Sequence, residues 1–225
     1  MPAHINYQEF AARNATLSRL AAQWHDGGVP LSQKTVSVII PTIGRPSLAR
    51  AVTSFARQRR PGDEILVVGP IGTDVPEGCR FIPCVSAQNW GATERTLGIA
   101  AATGDYLAFM DDDDIYLPNA RQAMAESATV MPDLPVVFRM HTPEGVIWSE
   151  PVLKNGRVSS QLFFIPNVPS RLGKWSARRC GDYEFLKTCH WPKYRPIFRC
   201  GDSVVCGDLV FRPTVIAVLR PDACL

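Results

Sequence analysis

Four consecutive aspartates, Asp111 to Asp114, follow directly on the run Asp105-Tyr-Leu-Ala-Phe-Met110. A short apolar run of this kind reads as a buried central strand, so the fold must gather four carboxylates at the carboxyl end of a strand inside a sheet. Crowded like charges repel and raise one another's pKa, and a cationic partner is expected among them. Carboxylate oxygens are the preferred ligands of Mg²⁺ and Mn²⁺, which commonly complete their shells with substrate phosphate oxygens. A metal-diphosphate site is the natural inference. The structural alternative is a solvated acidic turn capping the helix that begins near Pro118, but a cap requires one aspartate, not four.

The flanking pattern is that of an α/β sheet. Thr35-Val-Ser-Val-Ile-Ile-Pro41 is short and β-branched, Pro46 and Ser47 open a helical stretch through Arg57, and Glu64-Ile-Leu-Val-Val68 follows the turn signal Pro61-Gly62. This β-α-β order implies parallel strands, whose ligands sit beyond their carboxyl ends. The loops Pro41 to Arg45 and Gly69 to Asp74 are therefore candidate binding loops. Phe81-Ile82 and Cys84-Val85 suggest a short strand, and residues 91–102 an Ala-rich helix closed by Gly104. A helix is predicted from Pro118 to about Thr129, strands at 135–140 and 145–148, a short helix within 176–190, and mixed strand and turn from Val204 to Val218. Upstream, Phe10, Leu17, Leu20, Ala21 and Trp24 fall near helical spacing over residues 7–24, which predicts an appended amphipathic helix.

The 225 residues, 46% hydrophobic and 20% charged, suit one globular domain. No stretch approaches the roughly 20 apolar residues needed to cross a bilayer, and polar residues interrupt the first twenty positions where a secretory signal would need an apolar core, so a cytoplasmic location is expected. Seven scattered cysteines read as reduced thiols. Cys180, Cys189, His190, Cys200 and Cys206 raise a zinc alternative, against which stands the lack of any tight Cys-x-x-Cys pair. The net charge of +3 is mild, but Arg171, Lys174, Arg178, Arg179, Lys187, Lys193, Arg195 and Arg199 face only Asp182 and Glu184 between residues 171 and 199. Such a segment suits phosphates of a donor, a lipid headgroup or a nucleic acid, or is a solvated face.

Together, Val38-Ile-Ile-Pro-Thr42 with Arg45-Pro46, Glu64 to Val68, Arg95 through Gly98, and Gly104 to Asp114 followed by Pro118 resemble the family 2 glycosyltransferases of GT-A fold. The likeness covers roughly residues 35 to 125. It implies a Rossmann-like α/β single domain with a mixed, mostly parallel sheet flanked by helices. Residues 1–34 would be a helical extension, 35–130 the nucleotide-sugar-binding half and 131–225 the acceptor and catalytic half. By this resemblance Pro41, Thr42 and Arg45 hold the nucleotide, Arg95 meets a donor phosphate or an aspartate of the site, and Asp111 touches the ribose side. Asp113 takes the metal with Asp111, assisted by Asp112 or Asp114. In the family the strand resembling Glu64 to Val68 continues into an aspartate that contacts the base, whereas this chain has Gly69 and Pro70.

Transfer to a hydroxyl needs a base, and Gly181-Asp182-Tyr183-Glu184-Phe185 resembles the family's catalytic acidic motif, with Asp182 the first choice and Glu184 the second. The alternative is that both only balance the surrounding arginines. The expected activity is metal-dependent, inverting transfer of a sugar from a nucleoside-diphosphate sugar, with Mn²⁺ or Mg²⁺ as cofactor. The other readings are a catalytically inactive nucleotide- or polyanion-binding module of the same fold and, ranked last, a nucleotidyltransferase. The family's small members act on saccharides, lipid carriers, proteins or modified bases in nucleic acid. Trp175, Tyr183, Trp191 and Tyr194, interleaved with the basic residues, keep a DNA base among the candidate acceptors.

Overall fold

The computed structural model describes residues 33–220 apart from 86, 131, 149, 192, 193, 201, 202 and 208. The helix predicted over residues 7–24 lies outside the described residues. The first half alternates strand and helix as the sequence implies: β1 (Val36–Pro41), α1 (Leu48–Ala56), β2 (Glu64–Gly69), β3 (Arg80–Pro83), α2 (Ala92–Ala101) and β4 (Tyr106–Phe109). After β5 (Ile115–Tyr116) and α3 (Ala120–Val130) come β6 (Val136–Thr142), β7 (Gly145–Ile147), a 3-10 turn at Ser160–Leu162 and β8 (Phe163–Pro166). Helix α4 (Gly181–Thr188) precedes β9 (Tyr194–Cys200), β10 (Ser203–Gly207) and β11 (Leu209–Val218).

These strands form one mixed sheet in the order β3-β2-β1-β4-β8-β6-β11-β10-β9, with β5 on β11 and β7 on β6. Strands β3, β2, β1 and β4 are mutually parallel. Every residue of β1 and of β4 is buried, as their unbroken apolar runs require of parallel strands covered on both faces. Leu48, Ala51, Val52 and Phe55 fall at helical spacing and form the buried stripe of α1. Helix α2 lies close on β1 because residue 98 is glycine: a Cβ there would stand 2.4 Å from Ile39 Cγ2.

Two local expectations change. The third strand ends at Pro83: Cys84 still donates its N–H to the Gly69 carbonyl at the end of β2, and Val85 lies beyond the strand. Gly104 is not a left-handed helix stop, since α2 ends at Ala101 with Ala102 already extended. Glycine is needed at 104 because a Cβ would meet the Ser37 backbone nitrogen at 2.7 Å, where the chain turns into β4.

A buried ion pair locks the base of the sheet. The Asp63 carboxylate accepts from the Arg121 guanidinium at 2.7 and 2.9 Å, from Val36 N–H at 2.9 Å and from Arg60 N–H at 2.8 Å, while Arg121 also donates to the Lys34 carbonyl at 2.9 Å. Both Asp63 oxygens are used, while Arg121 Nη1 has no hydrogen-bond partner among the described residues, so the pair is satisfied on its carboxylate side.

The topology collects one edge. Strand β8 runs antiparallel to β4, so its beginning, with Ser160 just before it, lies at β4's carboxyl end. Strand β6 is antiparallel to β8 and parallel to β11, so the end of β11 reaches the same edge. Chain segments distant in sequence thus converge on the acidic run. No helix among the described residues is long and apolar enough to cross a membrane.

Candidate active site

The four aspartates divide their work. Asp112, only 2% exposed, turns away from the others: its carboxylate accepts from the Thr42 hydroxyl at 2.6 Å, from Ile43 N–H at 3.3 Å and from Arg45 Nη1 at 2.6 Å. It fixes the Pro41–Arg45 loop to the acidic turn. One ligand oxygen each from Asp111, Asp113 and Asp114 lies within 4.8 Å of the others, which makes them the only such group among the described residues. Thiols Cys79, Cys84, Cys180 and Cys189 form no disulfide and join no metal-ligating group among these residues. The other members of the zinc alternative, Cys200 and Cys206, have side chains outside the description.

The trio is concentrated negative charge. Asp114 is fully buried, and burial together with the charges of Asp111 and Asp113 pushes its carboxyl up to about 7, despite bonds from Arg220 N–H and the Gln161 amide. Three arginines counter it: Arg95 pairs with Asp111, Arg45 reaches Asp113 at 3.3 Å, and Arg220 reaches Asp113 at 3.4 Å. An all-oxygen set at this spacing, with one carboxyl that ionises reluctantly, fits a hard divalent cation.

Arg95 is the hub. It is 5% exposed, pairs with Asp111, and donates to the Trp90 carbonyl at 2.7 Å and to Ser160 Oγ at 3.2 Å. Its guanidinium lies 5.0 Å from the Trp175 ring centre, and Trp175 stacks at 4.4 Å on Phe185 of α4. Gly91 makes room for it, since it has φ of +76° and a Cβ there would approach Arg95 Nη1 to 2.6 Å.

Asp182 joins the group from the first turn of α4. Ser160 lies close enough for its N–H and hydroxyl to favour the ionised form of this carboxyl. Burial pushes its carboxyl up to about 6, Asp111 adds to the rise, and Arg95 and Ser160 oppose it. Glu184, two residues further along α4, is rotated about 200° around the helix and faces away from Asp182. The structure thus brings Arg95, Asp111, Asp113, Asp114 and Asp182 together and separates Glu184 from them.

Of these, Arg95, Asp111 and Asp113 border a cleft of about 240 Å³, whose walls also include Pro41, Thr42, Arg45 and Asp112, while Asp114 and Asp182 lie behind its lining. Gln88, Asn89, Trp90, Glu94 and Arg220 line it as well. Sequence reasoning missed these five, and it missed Ser160 and Gln161. The one available signal for Glu94 was a charged residue beside Arg95 in an otherwise Ala-rich helix.

Residues 73–184, about half of the chain and including Arg95, the acidic run and Asp182, match the family profile described as glycosyl transferase family 2. An uncharacterized glycosyltransferase of Rickettsia bellii is 33% identical over 98 residues, which are 40% of this chain and 14% of that protein. The crystal structure of residues 1–349 of S. aureus TarS superposes with a TM-score of 0.61 at 13% identity, over 84% of this chain and 61% of TarS 1–349. The same TarS fragment in complex with UDP-GlcNAc gives 0.55 at 13% identity, over 82% of this chain and 58% of the fragment. The chain therefore spans a small part of the sequence relative and under two thirds of these structures. At this identity the structural likeness shows the shared GT-A fold.

Proposed function

We propose that this chain, which belongs to glycosyl transferase family 2, transfers a sugar from a nucleoside-diphosphate sugar to a hydroxyl acceptor with inversion at the anomeric carbon. The observation that carries this is the grouping around Arg95, which pairs with Asp111 and donates to Ser160, with Asp182 within electrostatic reach of all three, so that a carboxylate able to take a proton lies beside the acidic trio.

The Pro41–Arg45 loop, pinned by Asp112, holds the nucleotide, and Arg95 fixes Asp111 while presenting positive charge to the diphosphate. Asp111, Asp113 and Asp114 would hold Mn²⁺ or Mg²⁺, which when bound neutralises charge on the leaving diphosphate. Asp182 accepts the proton of the acceptor hydroxyl as its oxygen bonds to the anomeric carbon and the bond to the diphosphate oxygen breaks on the opposite face. A carboxyl titrating at about 6 is ionised at neutral pH and still basic enough to assist. Glu184 serves as a charge partner on the helix surface.

The TarS structures with UDP and UDP-GlcNAc make UDP-GlcNAc the first donor to test. The test is release of nucleoside diphosphate from a panel of donors, with and without Mn²⁺ and with hydroxyl acceptors, followed by NMR of the product anomer. Metal-dependent release with inverted product supports the reading. Retained configuration overturns inversion, and tight nucleotide binding with no release or transfer replaces the enzyme with a binding module.

A further inference from the structure

Glu94 is 2% exposed, lines the cleft, and its Oε2 has no hydrogen-bond partner among the described residues. A buried carboxylate oxygen without a donor costs free energy, which a ligand N–H or O–H would recover. Its neighbour Arg95 belongs to the diphosphate end, but successive helix residues point about 100° apart, and Glu94 faces a different part of the cleft. There it lies near enough to Cys84 to help burial raise that thiol's pKa. Cys84 in turn donates its backbone N–H to the Gly69 carbonyl at 2.8 Å, which places Glu94 beside the ends of β2 and β3. Position 69 at the end of β2 carries no side chain of its own, and a Cβ there would meet Thr42 Cγ2 at 2.6 Å.

The surroundings say what the ligand group is. The cleft wall near the mouth carries Pro41, Ile43 and Trp90, the last two 62% and 65% exposed. A flat group with apolar faces and a polar edge fits apolar walls around one buried acceptor. The nucleobase is the part of a nucleotide sugar with that shape. We propose that Glu94 determines donor specificity by accepting the ring N–H of a uracil or guanine base, at a ring position where cytosine and adenine present a bare acceptor nitrogen that a carboxylate repels. This rests on the donor reading above.

The test is calorimetric binding of UDP, GDP, CDP, ADP and inorganic pyrophosphate, each with Mn²⁺, to the wild-type chain and to Glu94→Gln. Wild type should bind UDP or GDP at least about tenfold tighter than CDP and ADP. Glu94→Gln, whose amide both donates and accepts, should shrink that ratio to about threefold or less and leave pyrophosphate affinity unchanged. A wild-type preference for CDP or ADP overturns the proposal whether or not the variant folds, and so does a variant that keeps the wild-type ratio. Equal binding of all four nucleotides sinks this inference alone. Failure of every nucleotide and of pyrophosphate to bind sinks the donor reading with it.

Discussion

Ser160 lies close enough to Asp182 to hold its carboxyl toward the ionised form. The two lie on different elements, the turn before β8 and the first turn of α4, and Ser160 also accepts from Arg95 at 3.2 Å. A carboxylate distant in sequence thereby feels the charge of the same arginine that holds Asp111.

If Asp182 takes the acceptor's proton, removing its basicity should leave donor binding intact. Asp182→Asn is expected to lower kcat by about 10²- to 10⁴-fold with nucleoside-diphosphate affinity unchanged. Steady-state kinetics paired with nucleotide titration checks this, and wild-type turnover in the variant would remove Asp182 from the mechanism. Glu184→Gln, by contrast, should keep most of the activity.

The pH dependence follows from the same carboxyl. A base works only when ionised, so with its pKa pushed up to about 6 the rate should rise with pH through that value and level off above it. Hydrogen bonds to the ionised form lower a pKa, so Ser160→Ala should move the acid limb of the kcat profile upward. A limb that stays in place, or moves downward, would show that Asp182 is not the group being titrated.

Arg95 serves three polar partners and an aromatic face at once, a task suited to a planar fork and not to a single ammonium. Arg95→Lys should reduce kcat/KM by about 100-fold even where the protein remains folded. Initial rates and a melting curve on the same preparation separate the two effects.

Stability rests on a different pair. Asp63→Ala leaves the Arg121 guanidinium buried without its carboxylate, a loss of about 3–5 kcal/mol that corresponds to a fall in Tm of about 10 °C for a domain of this size. Thermal unfolding followed by circular dichroism measures it. A shift under about 2 °C would mean that water or the Lys34 carbonyl compensates.

Much of this arrangement is legible before folding. Strands β1, β2 and β4 are buried on both faces, so their apolar runs announce them, and the acids and Arg95 follow by position along those elements. The second half is harder because its geometry comes from non-local pairing. Strand β9 carries Pro196 and has no clear local strand pattern, and it lies at the sheet's edge, where proline is tolerated. Ser160 and Arg220 reach the site only because β8 reverses beside β4 and β11 runs parallel to β6, which no local periodicity encodes. Asp112 shows the converse. The sequence places it in the acidic run, but only the structure shows that Thr42 and Arg45 occupy it.

The most direct measurement is calorimetric titration of a nucleoside diphosphate in Mn²⁺ and in EDTA, on wild type and on Asp113→Asn. The ion held by Asp111, Asp113 and Asp114 should tighten binding by more than about tenfold, and Asp113→Asn should erase that gain. Equal affinity in Mn²⁺ and EDTA, or a variant that keeps the full metal effect, would contradict the assignment of these aspartates.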